Sequence, residues 1–169
     1  LINQNSKIMK RIIITLVALA CMGNVFANSP TFEEAVTETI QQLHMAQSQA
    51  DVQQFVSKLE RIANAEAHRW EAHYHLAYGR VTQTWREPEV KIKEAILDQA
   101  EKEIQRAIEL GGDRSELLTL QAYVYQARIQ AEPSKGRKYS GLAGKSIEKA
   151  LAINPQNPRA LVLKGQNIY

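Results

Sequence analysis

A chain of 169 residues with 44% hydrophobic content is long enough for one ordinary domain and apolar enough to build its core, which excludes a disordered linker. Its net charge of +3 arises at one end: Lys7, Lys10 and Arg11 precede the first acid, and the other 18 of the 21 basic residues balance the 18 acidic ones. A neutral body has no general pull on phosphates, so sequence-independent binding of nucleic acid is not expected.

The N-terminus reads "MKRIIITLVALACMGNVFANSP" from Met9, with two cations, an apolar run from Ile12 to Ala20, and Val25 and Ala27 at small-residue cleavage positions. This is the pattern of an export signal. Residues 1–27 are therefore read as upstream residues plus a cleavable signal beginning at Met9, and residues 28–169 as the mature domain, periplasmic or extracellular. No later apolar run is longer, so no membrane-spanning segment is expected. The single cysteine, Cys21, lies inside the signal, and cleavage after Ala27 leaves no thiol chemistry. The alternative is that "ALAC" resembles a lipoprotein box, with Cys21 acylated and kept as an anchor.

Beyond Ala27 the apolar residues recur at three- and four-residue spacing, which predicts helix almost throughout. Phe32, Val36, Ile40, Leu43 and Ala46 mark a first helix, and Val52, Phe55, Leu59, Ile62 and Ala63 a second after the polar break "QSQAD". A third carries Trp70, Tyr74, Ala77, Tyr78, Val81 and Trp85 and stops before Pro88, with Trp70 and Trp85 expected in the core. The fourth runs from about Pro88 to Leu110 and ends at Gly111 and Gly112. A fifth spans about Ser115 to Ala131 and is broken by "EPSKG"; a sixth holds Ala143, Ile147, Ala150, Leu151 and Ile153; a seventh begins near Arg159.

Placing "AEKEIQRAIELGG" over "AGKSIEKALAINP" sets Ala100 on Ala143, Ile104 on Ile147 and Ala107 on Ala150, each at an offset of 43. The intervals Phe55 to Ala77, Ala100 to Ala122 and Ala143 to Gly165 are all 22. These residues resemble the tetratricopeptide repeat family, with Pro155 falling where the family's proline falls. The resemblance implies an all-α, right-handed α-solenoid of stacked antiparallel helix hairpins. Its repeats would cover about 36–69, 70–114 and 115–157, with a partial repeat at 158–169. Repeats two and three exceed the family's usual length between their two helices, which predicts lengthened helices or an elaborated hairpin loop. A HEAT-type array, with repeats of roughly 40 to 47 residues, is the rival architecture.

"YSGLAGKS" ends in the Gly-Lys-Ser that closes a phosphate loop, yet Tyr139 stands where the loop's first glycine belongs and no apolar strand precedes it. Gly144, Lys145 and Ser146 are instead expected on a helix, facing away from its apolar stripe. His68, His73 and His75 lack the i, i+4 spacing of a helical metal pair, so no metal site is predicted. No nucleophile elbow, thiol or histidine with a carboxylate orienter at short range is found, and "EAILDQAEKE" reads as a solvated face. Neither catalytic residues nor a cofactor is expected.

Binding remains. The resemblance implies that helix positions flanking Ala77, Ala122 and Gly165 line a concave groove, which nominates Tyr74, Tyr78 and Val81, Thr119, Tyr123 and Gln126, and Val162, Gln166 and Tyr169. Tyrosine rings give contact area at low entropy cost, so the expected partner is a peptide or protein and the expected role that of an exported scaffold. The alternatives are a small exported enzyme whose site is assembled from scattered residues, and a structural, lipid-anchored envelope component. The uncovered last helix further predicts self-association or additional C-terminal residues.

Overall fold

The computed structural model describes residues 30–166, which contain seven α-helices and no β-strand. The signal segment, Cys21 and Tyr169 lie outside the described residues. The helices are α1 (Phe32–Met45), α2 (Gln49–Ala65), α3 (Trp70–Thr84), α4 (Val90–Glu109), α5 (Arg114–Ala131), α6 (Gly136–Ile153) and α7 (Pro158–Gln166). None of them is long and apolar enough to cross a membrane.

Each boundary has a local cause. The break before α2 is a capping box: Ser48 Oγ accepts from the Asp51 amide at 3.1 Å while Asp51 Oδ2 accepts from the Ser48 amide at 3.2 Å. At the end of α4, Gly111 takes φ +79°, and Gly112 lets the chain run against Trp70, where a Cβ would lie 2.8 Å from Trp70 Cε3. Asp113 then caps α5, its Oδ1 accepting from the amides of Ser115 (2.8 Å) and Glu116 (3.0 Å). "EPSKG" does not open a long loop. Pro133–Lys135 form one 3-10 turn that feeds straight into α6. The extra length of the second and third hairpins is absorbed chiefly by the helices α4, α5 and α6, of 20, 18 and 18 residues.

The core is divided into three apolar clusters, each closed by an odd-numbered helix. Leu43, Val56, Leu59 and Leu76 join α1, α2 and α3. Val81, Leu97, Ile104, Leu117 and Val124 join α3, α4 and α5. Ala122, Ala143, Ile147 and Leu163 join α5, α6 and α7. Thus α3 and α5 each serve two clusters, and α1 packs on α3, α3 on α5 and α5 on α7, while α2, α4 and α6 do not touch one another. The aligned small residues Ala77, Ala100, Ala122 and Ala143 are all completely buried.

Polar clips reinforce this. Arg128 of α5, 5% exposed, meets Glu94, Asp98 (2.6 Å) and Glu101 (2.8 Å), a carboxylate row one turn apart on α4. That row is part of the "EAILDQAEKE" region read as a solvated face; Asp98 is exposed and Glu94 and Glu101 are part-exposed, yet all three also engage a cation 27 to 34 residues away. Arg80 likewise bridges Glu60 of α2 (3.0 Å) and Gln99 of α4 (2.5 Å).

Candidate functional site

The Gly-Lys-Ser triplet lies within α6, as expected, so its amides are spent on the helix and do not cradle a phosphate. Lys145 is exposed, but Ser146 is buried and not outward-facing. Among the histidines, His73 is nearly buried, with Nδ1 2.7 Å from Glu103 Oε2 and Nε2 3.3 Å from the Ala67 carbonyl. This carboxylate partner, 30 residues distant on α4, was invisible to short-range spacing. The pair lines none of the clefts described below, and no group of three or more metal-ligating side chains occurs among the described residues.

Four clefts adjoin one another along α1, α3, α5 and α7. A cleft of about 500 Å³ between α1 and α3 is lined by Phe32, Val36, Ile40, His44 and His75 among others. It shares Ile40, His44 and His75 with a narrow one of about 150 Å³, which also takes in Tyr74, Tyr78 and Arg159. Those last three lead to a cleft of about 230 Å³ with Thr119, Tyr123, Val162 and Leu163. Tyr123 opens in turn onto a cleft of about 620 Å³ bounded by Trp85, Gln126, Ile129 and Gln166.

Tyr78 is the hinge of this surface. Its ring lies nearly parallel to that of Tyr123, at 12° and 6.2 Å between centroids, and its hydroxyl is 2.8 Å from His44 Nε2. Trp85 meets Tyr123 edge-on at 5.6 Å. Tyr74 donates to Glu116 Oε2 at 3.2 Å, and the same carboxylate oxygen receives Arg159 at 3.1 Å. Burial pushes the phenols of Tyr74 and Tyr123 well above their ordinary range, which keeps both as neutral hydroxyls. The His75 imidazole is pushed down to about 4, first by burial and then by the nearby Arg159 charge.

Of the residues nominated from sequence, the fold brings Tyr74, Tyr78, Thr119, Tyr123 and Val162 to one cleft, and Gln126 and Gln166 to its neighbour. Val81 departs from expectation: it is completely buried among Leu97, Ile104 and Val124, because the side of α3 one turn beyond Tyr78 turns toward α4. Thr119 is 3% exposed, its hydroxyl donating to the Ser115 carbonyl at 2.7 Å. Trp85, expected in the core, is 54% exposed beside the largest cleft. His44, His75, Trp85 and Arg159 were missed as groove residues. Only Trp85 lay on the aromatic stripe; the others come from helices whose relative rotation no single-helix pattern encodes.

No family model matches the chain, and no curated protein matches it. One solved structure does. The HusA haemophore from Porphyromonas gingivalis superposes with a TM-score of 0.72 at 25% sequence identity, covering 84% of this chain and 70% of that one. The likeness is one of fold, to a protein described as a haemophore.

Proposed function

We propose that the chain is an exported binding protein that holds a planar tetrapyrrole of the haem class against the Tyr78–Tyr123 wall, and that it is not an enzyme. The observation that carries this reading is the pair of near-parallel tyrosines shared by adjoining clefts, with Arg159 beside them. Aromatic faces suit the broad π-surface of a macrocycle. The Arg159 guanidinium suits the carboxylates at its edge. The cleft that holds both rings is about 230 Å³ and opens at Tyr123 onto one of about 620 Å³, which falls within the roughly 300–1,000 Å³ usual for small-molecule sites. The neighbour's designation as a haemophore supports the same ligand class, carried as cargo and not as a resident cofactor.

The finer architecture belongs to this proposal. A right-handed tetratricopeptide-like stack is supported by the packing of α1 on α3, α3 on α5 and α5 on α7 and by the recurring 22-residue interval. Export is supported by the basic-then-apolar pattern after Met9.

A second reading, an extended peptide, is favoured by the clefts' continuity from Phe32 to Gln130, a longer track than one planar ligand fills. Titration of the purified chain with iron-free protoporphyrin, followed by tryptophan fluorescence, separates them. Saturable quenching that Tyr123→Ala weakens supports tetrapyrrole capture. Absence of any binding up to porphyrin solubility removes it and leaves the peptide.

A further inference from the structure

The groove nominated from sequence contains no imidazole, since its members are tyrosine, valine, threonine and glutamine. The fold adds one. His44 projects from α1 to the junction where Tyr78 enters two clefts, its Nε2 2.8 Å from the Tyr78 hydroxyl and its ring edge-on to that phenol at 5.8 Å.

We infer that His44 is the residue that distinguishes a metal-loaded tetrapyrrole from a metal-free one, by giving its Nε2 lone pair to the iron. This inference rests on the tetrapyrrole reading above. With the imidazole proton on Nδ1, Nε2 accepts the Tyr78 O–H in the free protein. When iron arrives, that hydrogen bond breaks and one nitrogen-to-iron coordinate bond forms. No proton leaves the imidazole, no electron is transferred, and the phenol keeps its hydrogen for the solvent or for a ligand carboxylate. Imidazole is a common axial ligand of haem iron.

The other imidazoles are placed differently. His73 is nearly buried, both ring nitrogens engaged by Glu103 and the Ala67 carbonyl. His68 stands 78% exposed beside Glu66 and outside the clefts. His75 shares two clefts with His44, but its ring contact is to Tyr74, at 5.2 Å, and not to the Tyr78–Tyr123 wall. Among the histidines His44 alone meets the wall, and Tyr78 acts as its positioning residue by fixing where Nε2 sits.

The test uses the full chain with two probes, ferric protoporphyrin IX and the same macrocycle without iron. His44→Ala, at an exposed position, is expected to shift the Soret band of the ferric complex and lower the ferric-to-iron-free affinity ratio about tenfold or more. Added free imidazole should restore the wild-type spectrum. Binding of both probes with a ferric spectrum and affinity ratio indifferent to His44→Ala overturns the assignment while leaving tetrapyrrole capture intact. So does a spectrum that changes with His75→Ala and not with His44→Ala. Failure of the wild-type chain to bind either probe removes the parent reading and the inference together.

Discussion

Asn157 Nδ2 lies 2.9 Å from Ser115 Oγ, 42 residues earlier in the chain, and this bond fastens α7 to α5. Asn157 is completely buried and does three things at once: its Nδ2 also reaches Thr119 Oγ1 at 3.3 Å, and its Oδ1 accepts from the Ala160 amide to cap α7. Ser115 Oγ in turn donates to the Ala150 carbonyl at the end of α6. Asn157→Ala therefore loses a helix cap and leaves buried hydroxyls short of a partner. We expect a loss of about 2 kcal/mol, read as a lower urea midpoint, with Val162 and Arg159 displaced from the groove. An unchanged midpoint would mean that α7 is held by apolar packing alone.

At the α4–α5 turn two adjacent glycines are required for different reasons. A Cβ on Gly111 would touch nothing within 4 Å, so Gly111→Ala tests only the positive φ and should cost about 1 kcal/mol. A Cβ on Gly112 would meet Trp70 Cε3 at 2.8 Å and the Ala107 carbonyl at 2.9 Å. The carbonyl cannot step aside as a side chain tip can, so Gly112→Ala should cost more, about 1–3 kcal/mol. Paired thermal melts check the order; equal losses would show that the backbone at the α4 end relaxes away from the added Cβ.

How much of this was legible depends on how each helix is buried. Helices α2 and α4 present one stripe to one neighbouring layer; Leu59 was identified from spacing, and Ala100 and Ile104 from the alignment of the repeats. Helices α3 and α5 are enclosed on more than one side and serve two clusters each. Their stripes therefore merge, which is why Val81 was assigned to the groove and Trp85 to the core. By the 22-residue interval Phe55 stands where Ala100 and Ala143 stand in the later repeats, and the structure buries its neighbour Val56 in one cluster with Leu59 and Leu76. The pairing partners were beyond reach in principle: Glu103 for His73, Glu94 for Arg128 and Tyr78 for His44 are each about one repeat away, where only the angle between hairpins decides who meets.

His75 makes stability depend on acid. Its folded imidazole titrates at about 4, against about 6.5 in the unfolded chain, so the unfolded state binds the extra proton between those values. A base whose value is depressed by folding resists protonation in the native state; stability is complete above 6.5 and falls as pH drops toward 4. The loss between pH 7 and pH 5 is about 2 kcal/mol from this group. His75→Gln should flatten the pH dependence of the denaturant midpoint over that window. A slope that persists in the variant would place the acid sensitivity elsewhere.

Tyr123 is the residue on which the groove turns, because it touches Tyr78 on one side and Trp85 on the other and borders both of the larger downstream clefts. Removing its ring takes away a ligand-contacting face and also releases its two neighbours from the orientation in which they meet the ligand. Each aromatic contact is worth about 0.5–1.5 kcal/mol, so Tyr123→Ala should weaken tetrapyrrole binding by roughly tenfold, and Tyr123→Phe by much less, since the ring and not the hydroxyl makes both contacts. The half-exposed Trp85 supplies the readout, its emission being quenched as the ligand arrives. If Tyr123→Phe binds as poorly as Tyr123→Ala, the hydroxyl carries the recognition and the wall acts by hydrogen bonding, not by stacking; if neither substitution matters, the ligand sits at the α1–α3 end, beyond the reach of Tyr123.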